Sequence, residues 1–112
     1  MDVKRYNDAE SFSFGHLVIR DMTPDTVNQA IFSEVEVPVG ADNPPYASPG
    51  KDKVYVGASG EIEFNVDGES VRVRRGDVLV IQPDETYSFH NGGYEMGRLF
   101  LIQMPPASAT AT

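Results

Sequence analysis

The chain has 112 residues, 40% hydrophobic and 23% charged, with a formal net charge of −8 and no cysteine. That length fits one domain with one core, and the missing cysteines exclude disulfides, thiolate metal sites and a cysteine nucleophile. The negative charge repels a phosphate backbone, which argues against a nucleic-acid partner. The first ten residues lack the apolar stretch of a signal peptide, and no apolar run approaches the ~20 residues of a bilayer span, so no membrane partner and a cytoplasmic location are expected.

Residues 1–29 read as an N-terminal arm packing on the main body, with a short apolar strand at Leu17, Val18 and Ile19. Residues 23–29 carry turn and helix-cap chemistry, enough for one short helical turn. Residues 30–104 carry the fold. Across 30–39, Val35, Val37 and Val39 alternate against Glu34, Glu36 and Pro38, the period-2 pattern of a strand. The stretch from Gly40 to Asp52, dense in Gly, Pro, Asn and Asp, reads as a loop.

Residues 53–56 then read as a strand and 57–60 as a turn. Residues 61–66 and 71–74 alternate on either side of Asp67 and Gly68, a strong hairpin signal because Gly supplies the positive φ that such turns need. Ile62, Phe64, Val66, Val71 and Val73 are expected in the core. Glu61, Glu63, Asn65, Arg72 and Arg74 are expected on a solvated face with cross-strand ion pairs. Residues 78–81, 87–90 and 98–103 complete the strands, with turns at 75–77, 83–85 and 91–93. Residues 105–112, small and proline-led, read as a disordered tail. Many short strands with regular turns give an all-β domain, a sandwich or a closed barrel.

The ordered features from Lys51 to Asn91 resemble the cupin superfamily. A Tyr-Val strand ends at Gly60, a hairpin turns at Asp67 and Gly68, and Gly76, Asp77, an apolar strand, Pro83, an aromatic strand and Asn91 follow. The second cupin motif falls on Gly76 through Asn91. The first falls on Gly40 through Gly60 with small spacing differences. The resemblance implies a cupin-type jelly-roll β-barrel with a pocket in its mouth, and a homodimer. Many relatives hold a metal there on three His and one Glu. In this chain those four positions carry Tyr46, Ser48, Lys53 and Tyr87, and His16 and His90 are the only histidines. An ammonium and phenols do not serve a divalent cation, so neither a metal nor another cofactor is expected.

If those positions face inward, alternation adds Tyr55 beside Lys53 and Phe89 beside Tyr87. Lys53, Tyr87 and Tyr46 are then the candidate catalytic residues, and Ser48, Tyr55 and Phe89 the candidate substrate contacts. Three roles are open to Lys53: binding an anionic or carbonyl ligand, acid, base or Schiff-base chemistry, or reaching solvent beside Glu34 or Glu36. Three functions follow. The first is a metal-independent isomerase-, cyclase- or lyase-type enzyme acting on a compact organic substrate. The second is a non-catalytic metabolite-binding or sensory module. The third is a metal-dependent protein with unusual ligands such as Glu34, Glu36 and His90.

Overall fold

Runs of Val, Ile, Phe and Tyr at period two become strands because branched and aromatic side chains fit the pleat. The computed structural model describes residues 1–47 and 50–104. In chain order the strands are β1 (Ser11–Phe14), β2 (Leu17–Asp21), β3 (Ile31–Val37), β4 (Asp42–Tyr46) and β5 (Asp52–Ser59). They continue with β6 (Ile62–Val66), β7 (Glu69–Val73), β8 (Val78–Ile81), β9 (Tyr87–His90) and β10 (Gly97–Met104). A single 3-10 turn at Tyr6–Asp8 precedes them, and residues 23–29 form a turn rather than a helical one. No helix among the described residues is long and apolar enough to cross a membrane.

The strands form a six-stranded sheet, β1-β2-β3-β10-β5-β8, and a four-stranded sheet, β4-β9-β6-β7. Every strand pairing is antiparallel. The expectation of a closed barrel is corrected here: no ladder joins the two sheets, which face each other as a sandwich. Part of the reason is β4. Residues 40–52 were expected to be all loop, yet Asp42 to Tyr46 pair with β9, with a register shift between Asn43 and Tyr46. Pro44 and Pro45 have no N–H to donate, so this segment forms only an edge strand.

One core fills the space between the sheets. Leu17, Val35, Val37, Tyr55, Ile81, Leu99 and Leu101 meet Ile62, Phe64, Val73, Tyr87 and Phe89. Asp67 and Gly68 make the expected hairpin turn, with φ of 49° and 86°. Glu61, Glu63, Arg72 and Arg74 pair on the outer face of the four-stranded sheet, at 3.0 to 3.8 Å. Val71 departs from expectation. It pairs with Phe64 on the edge strand β7 but is exposed, whereas Val73 of the same strand is buried. Asn91 is fully buried and ties the turn after β9 to the core. Its Nδ2 donates to the carbonyls of Val37 (2.8 Å) and Glu95 (2.9 Å).

The N-terminal residues belong to the large sheet. The β1-β2 hairpin extends that sheet beside β3 of the same chain. Glu34 alternates with the buried Val35 and Val37, yet it too is only 4% exposed. The Tyr6 hydroxyl donates to its Oε1 at 2.9 Å, and Arg98 and Arg20 approach at 3.4 and 3.7 Å. The arm thus covers this part of the outer face, a long-range contact that local periodicity cannot register.

The rest of that outer face is apolar. Phe100, Ile102, Val54, Val56, Val78 and Val80 adjoin one another through the β10-β5-β8 ladders, and Val78 and Val80 are 62% and 52% exposed. Strands apolar on both faces are composed for burial on both faces. The four-stranded sheet of the same chain, apolar within and charged without, shows the contrast.

Candidate functional site

Period-2 alternation on β5 puts Lys53 and Tyr55 on the inner face of the large sheet. The same alternation on β9 puts Tyr87 and Phe89 on the inner face of the small one. Tyr46 pairs across from Tyr87. These five side chains line a cleft of about 240 Å³ between the sheets. Phe14, Leu17, Ile19, Val35 and Leu101 supply apolar walls, and Asn43 and Gln103 add two amides. A mostly apolar lining with a few placed polar groups is the usual make-up of a small-molecule site. A larger hollow of about 710 Å³ lies over Glu61, Glu63 and Arg72. Of its charged side chains, Glu61, Glu63 and Arg72 are exposed and paired with one another or with Arg74, and Glu95 is exposed.

Lys53 is 5% exposed. Its Nζ donates to the Tyr87 hydroxyl at 2.9 Å, and that hydroxyl shares a hydrogen bond with the Tyr55 hydroxyl, also 2.9 Å. The ammonium lies 4.4 Å from the Tyr46 ring centroid and 5.0 Å from that of Tyr87. Cation–π attraction offsets part of the desolvation. No carboxylate or imidazole lines the cleft. Burial, and then the neighbouring Lys51, lower the Lys53 pKa from 10.5 to about 8. Burial raises the Tyr55 phenol well above its ordinary value and raises Tyr87 too, so both keep their protons at neutral pH.

Tyr46 stands at the rim, 49% exposed, with its ring edge-on to Tyr87 at 6.3 Å. Phe89 packs on Phe64 and Tyr55 at 5.0 and 5.9 Å. Ser48 lies outside the described residues, as does the tail 105–112. The route from Lys53 to solvent beside Glu34 or Glu36 is not taken. Both carboxylates sit on the opposite face of the sheet, beside Arg98 at 3.4 and 3.6 Å. His90 is exposed on the other sheet, next to the buried Phe89. Glu34, Glu36 and His90 therefore form no common ligand set, and no group of three or more His, Cys, Asp or Glu among the described residues is placed to hold a metal ion. The cleft itself does not fit a divalent cation, because among the described residues its one charged group is an ammonium.

Sequence reasoning missed Gln103, Asn43 and Phe14. A signal existed for Gln103, which continues the inner-face alternation of Leu99 and Leu101 and pairs with Lys53. Asn43 was hidden in a proline-rich stretch. Phe14 reaches the cleft only through the pairing of the β1-β2 hairpin with β3.

A family model for the cupin domain matches residues 33–103, well over half of the chain. The chain belongs to the cupin family. Several solved cupin-like structures share its fold. A predicted oxalate decarboxylase from Thermotoga maritima is 21% identical, with a TM-score of 0.82, over 93% of this chain and 99% of the other. KdgF from Halomonas sp. is 13% identical with a TM-score of 0.81, over 96% and 98%. An RmlC-like cupin from Shewanella frigidimarina is 17% identical with a TM-score of 0.80, over 97% and 95%. The comparison with curated proteins finds no match. At these identities the likeness shows the cupin fold alone, and activity rests on this chain's own site.

The buried amine predicts how stability responds to pH. Between about pH 8 and 10.5 native Lys53 binds fewer protons than unfolded Lys53, so stability rises with pH. Above about pH 10 the unfolded phenols ionise while Tyr55 and Tyr87 resist, and stability falls. Lys53→Met is expected to stabilise the protein by about 1–3 kcal/mol at pH 7 and to remove the rise. Urea unfolding followed by circular dichroism across this pH range checks both.

Proposed function

We propose that this cupin binds a compact organic substrate between its sheets and moves a proton on it without a metal, in an isomerase-, cyclase- or lyase-type reaction. One observation carries this reading: Lys53 is buried in the cleft with no carboxylate partner, and its Nζ donates to a buried phenol. A lysine with a pKa of about 8 exchanges a proton readily near neutral pH. Tyr87, backed by Tyr55, polarises a substrate oxygen as charge develops there. Tyr46 orients the substrate at the rim, and Phe89 and the apolar walls hold its body away from water.

The absence of a second neutral-pH base from the cleft lining favours a second reading. In that reading the same cleft holds a metabolite without turning it over, as a carrier or sensor. Proton NMR in deuterated water, with a panel of small ketones, lactones and hydroxy or unsaturated acids, separates the two. We expect solvent exchange at carbon for at least one compound, undiminished by EDTA and lowered about 10²-fold or more by Lys53→Met. Exchange lost to EDTA and restored by a divalent cation would overturn the metal-free claim. Binding without exchange across the panel would favour the non-catalytic reading.

We also propose that a second copy covers the apolar outer face of β10, β5 and β8. Two chains of charge −8 repel wherever their charged surfaces meet. The side chains that make up this face, Phe100, Ile102, Val54, Val56, Val78 and Val80, are uncharged and well suited to a self-complementary contact. Light scattering coupled to size exclusion is expected to give about twice the 12.3 kDa chain mass, and Val80→Asp to give the monomer. A wild-type monomer would refute the pairing.

A further inference from the structure

Charge in this molecule is distributed unevenly. Seventeen acidic side chains give a net −8, yet none lines the cleft around Lys53. Glu34 and Glu36 lie on the far face of the sheet with Arg98, and Glu61 and Glu63 lie on the other sheet with Arg72. The ladder neighbours of Lys53 are Gln103 and Ile81, both neutral. A buried cation is ordinarily compensated by a carboxylate. Among the described residues the lining supplies no counter-charge, so an anionic ligand entering the cleft would hold Lys53 charged where burial alone favours the neutral amine.

The donors are incomplete in the same sense. An ammonium has three N–H groups, and Lys53 spends one on the Tyr87 hydroxyl. The rings of Tyr46 and Tyr87 face it without accepting a conventional hydrogen bond. Tyr87 and Tyr55 keep their protons, so the cluster offers donors and has no anionic acceptor. We infer that the cleft takes a monocarboxylate on an apolar body about the size of one six-membered ring, with the carboxylate seated on Lys53. The inference rests on the proposed reading of the cleft as a ligand site, and adds the charge and size of what enters.

Size follows from volume. An apolar cavity of roughly 150 Å³ accommodates benzene. The 240 Å³ here holds such a ring together with its carboxylate, and the rim at Tyr46 is open to solvent. Phe14, Leu17, Ile19, Val35 and Leu101 match a hydrocarbon body. A phosphate ester needs more positive charge than one lysine, and no arginine lines the cleft. A cationic ligand would meet the ammonium.

The charge also fixes the sense of proton transfer. With a carboxylate bound, Lys53 is held as an ammonium and seats the ligand, so proton abstraction at carbon by its neutral amine is expected with the neutral ketones and lactones and not with the acids. The titratable groups facing Lys53 are Tyr46 from β4, Tyr87 from β9 and Tyr55 from its own strand, with Lys51 flanking it. Burial keeps Tyr87 and Tyr55 protonated at neutral pH. Carboxylate affinity is therefore flat below about pH 8 and falls above it by up to tenfold per unit as the free amine loses its proton.

The test compares benzoate and cyclohexanecarboxylate with their primary amides by NMR shift titration of the wild-type protein and of Lys53→Met. In the wild type at pH 7 we expect the acids to bind at least about tenfold more tightly than the amides. At about pH 9.5 the preference should shrink. In Lys53→Met it should vanish while amide binding persists. Equal affinity of acids and amides in the wild type, or a preference unchanged at high pH or without Lys53, would overturn the inference and leave the cleft reading standing. No shift at cleft residues with any of the four compounds would overturn both.

Discussion

An ammonium buried without a carboxylate is the constraint around which the cleft is organised. Lys53 lies on β5, between β10 and β8, so its backbone is held on both sides. Its side chain has nowhere to go except between the sheets. Desolvation lowers its pKa, two aromatic rings and one hydroxyl restore part of the lost hydration, and the phenols beside it are in turn kept neutral by burial. Each of these consequences follows from placing one charge in an apolar gap. None requires a metal ion.

The two sheets differ in a way that bears on function. The four-stranded sheet alternates apolar and charged residues and is finished on both faces. The six-stranded sheet is apolar on both faces along β10, β5 and β8, while near β2 and β3 a buried ion cluster around Glu34 binds the N-terminal arm. A lone Glu in that position would be costly, and Tyr6, Arg20 and Arg98 together satisfy it. The arm is thus an integral part of the large sheet, and its hairpin also supplies one wall of the cleft through Phe14 and Leu17.

Much of this was legible in sequence because strands have a fixed period. The apolar strands follow from alternation and the hairpin from Asp67 and Gly68; the cupin resemblance implied the order of elements and the inward facing of Lys53 and Tyr87, and alternation then added Tyr55 and Phe89. Three things were not legible. Strand β4 was hidden by two prolines that would exclude it from any position except an edge. Glu34 alternates like a solvent-facing residue, and only the fold of the arm buries it. Phe14 and Asn43 reach the cleft through pairings across the sheet edges, which leave no local pattern. Val71 failed in the opposite sense: it is exposed while Val73, two residues further along the same edge strand, is buried, a difference that alternation does not carry.

The central claim is that Lys53 is a desolvated amine with no anionic partner in the chain. Its titration tests this most directly. The chain has only three lysines, Lys4, Lys51 and Lys53, so carbon-13 labelling of the lysine side chains gives a spectrum that Lys53→Met assigns at once. A midpoint near 8 for Lys53 in the ligand-free protein is predicted. A midpoint at or above the ordinary 10.5 would mean a solvated or ion-paired amine and would contradict the account.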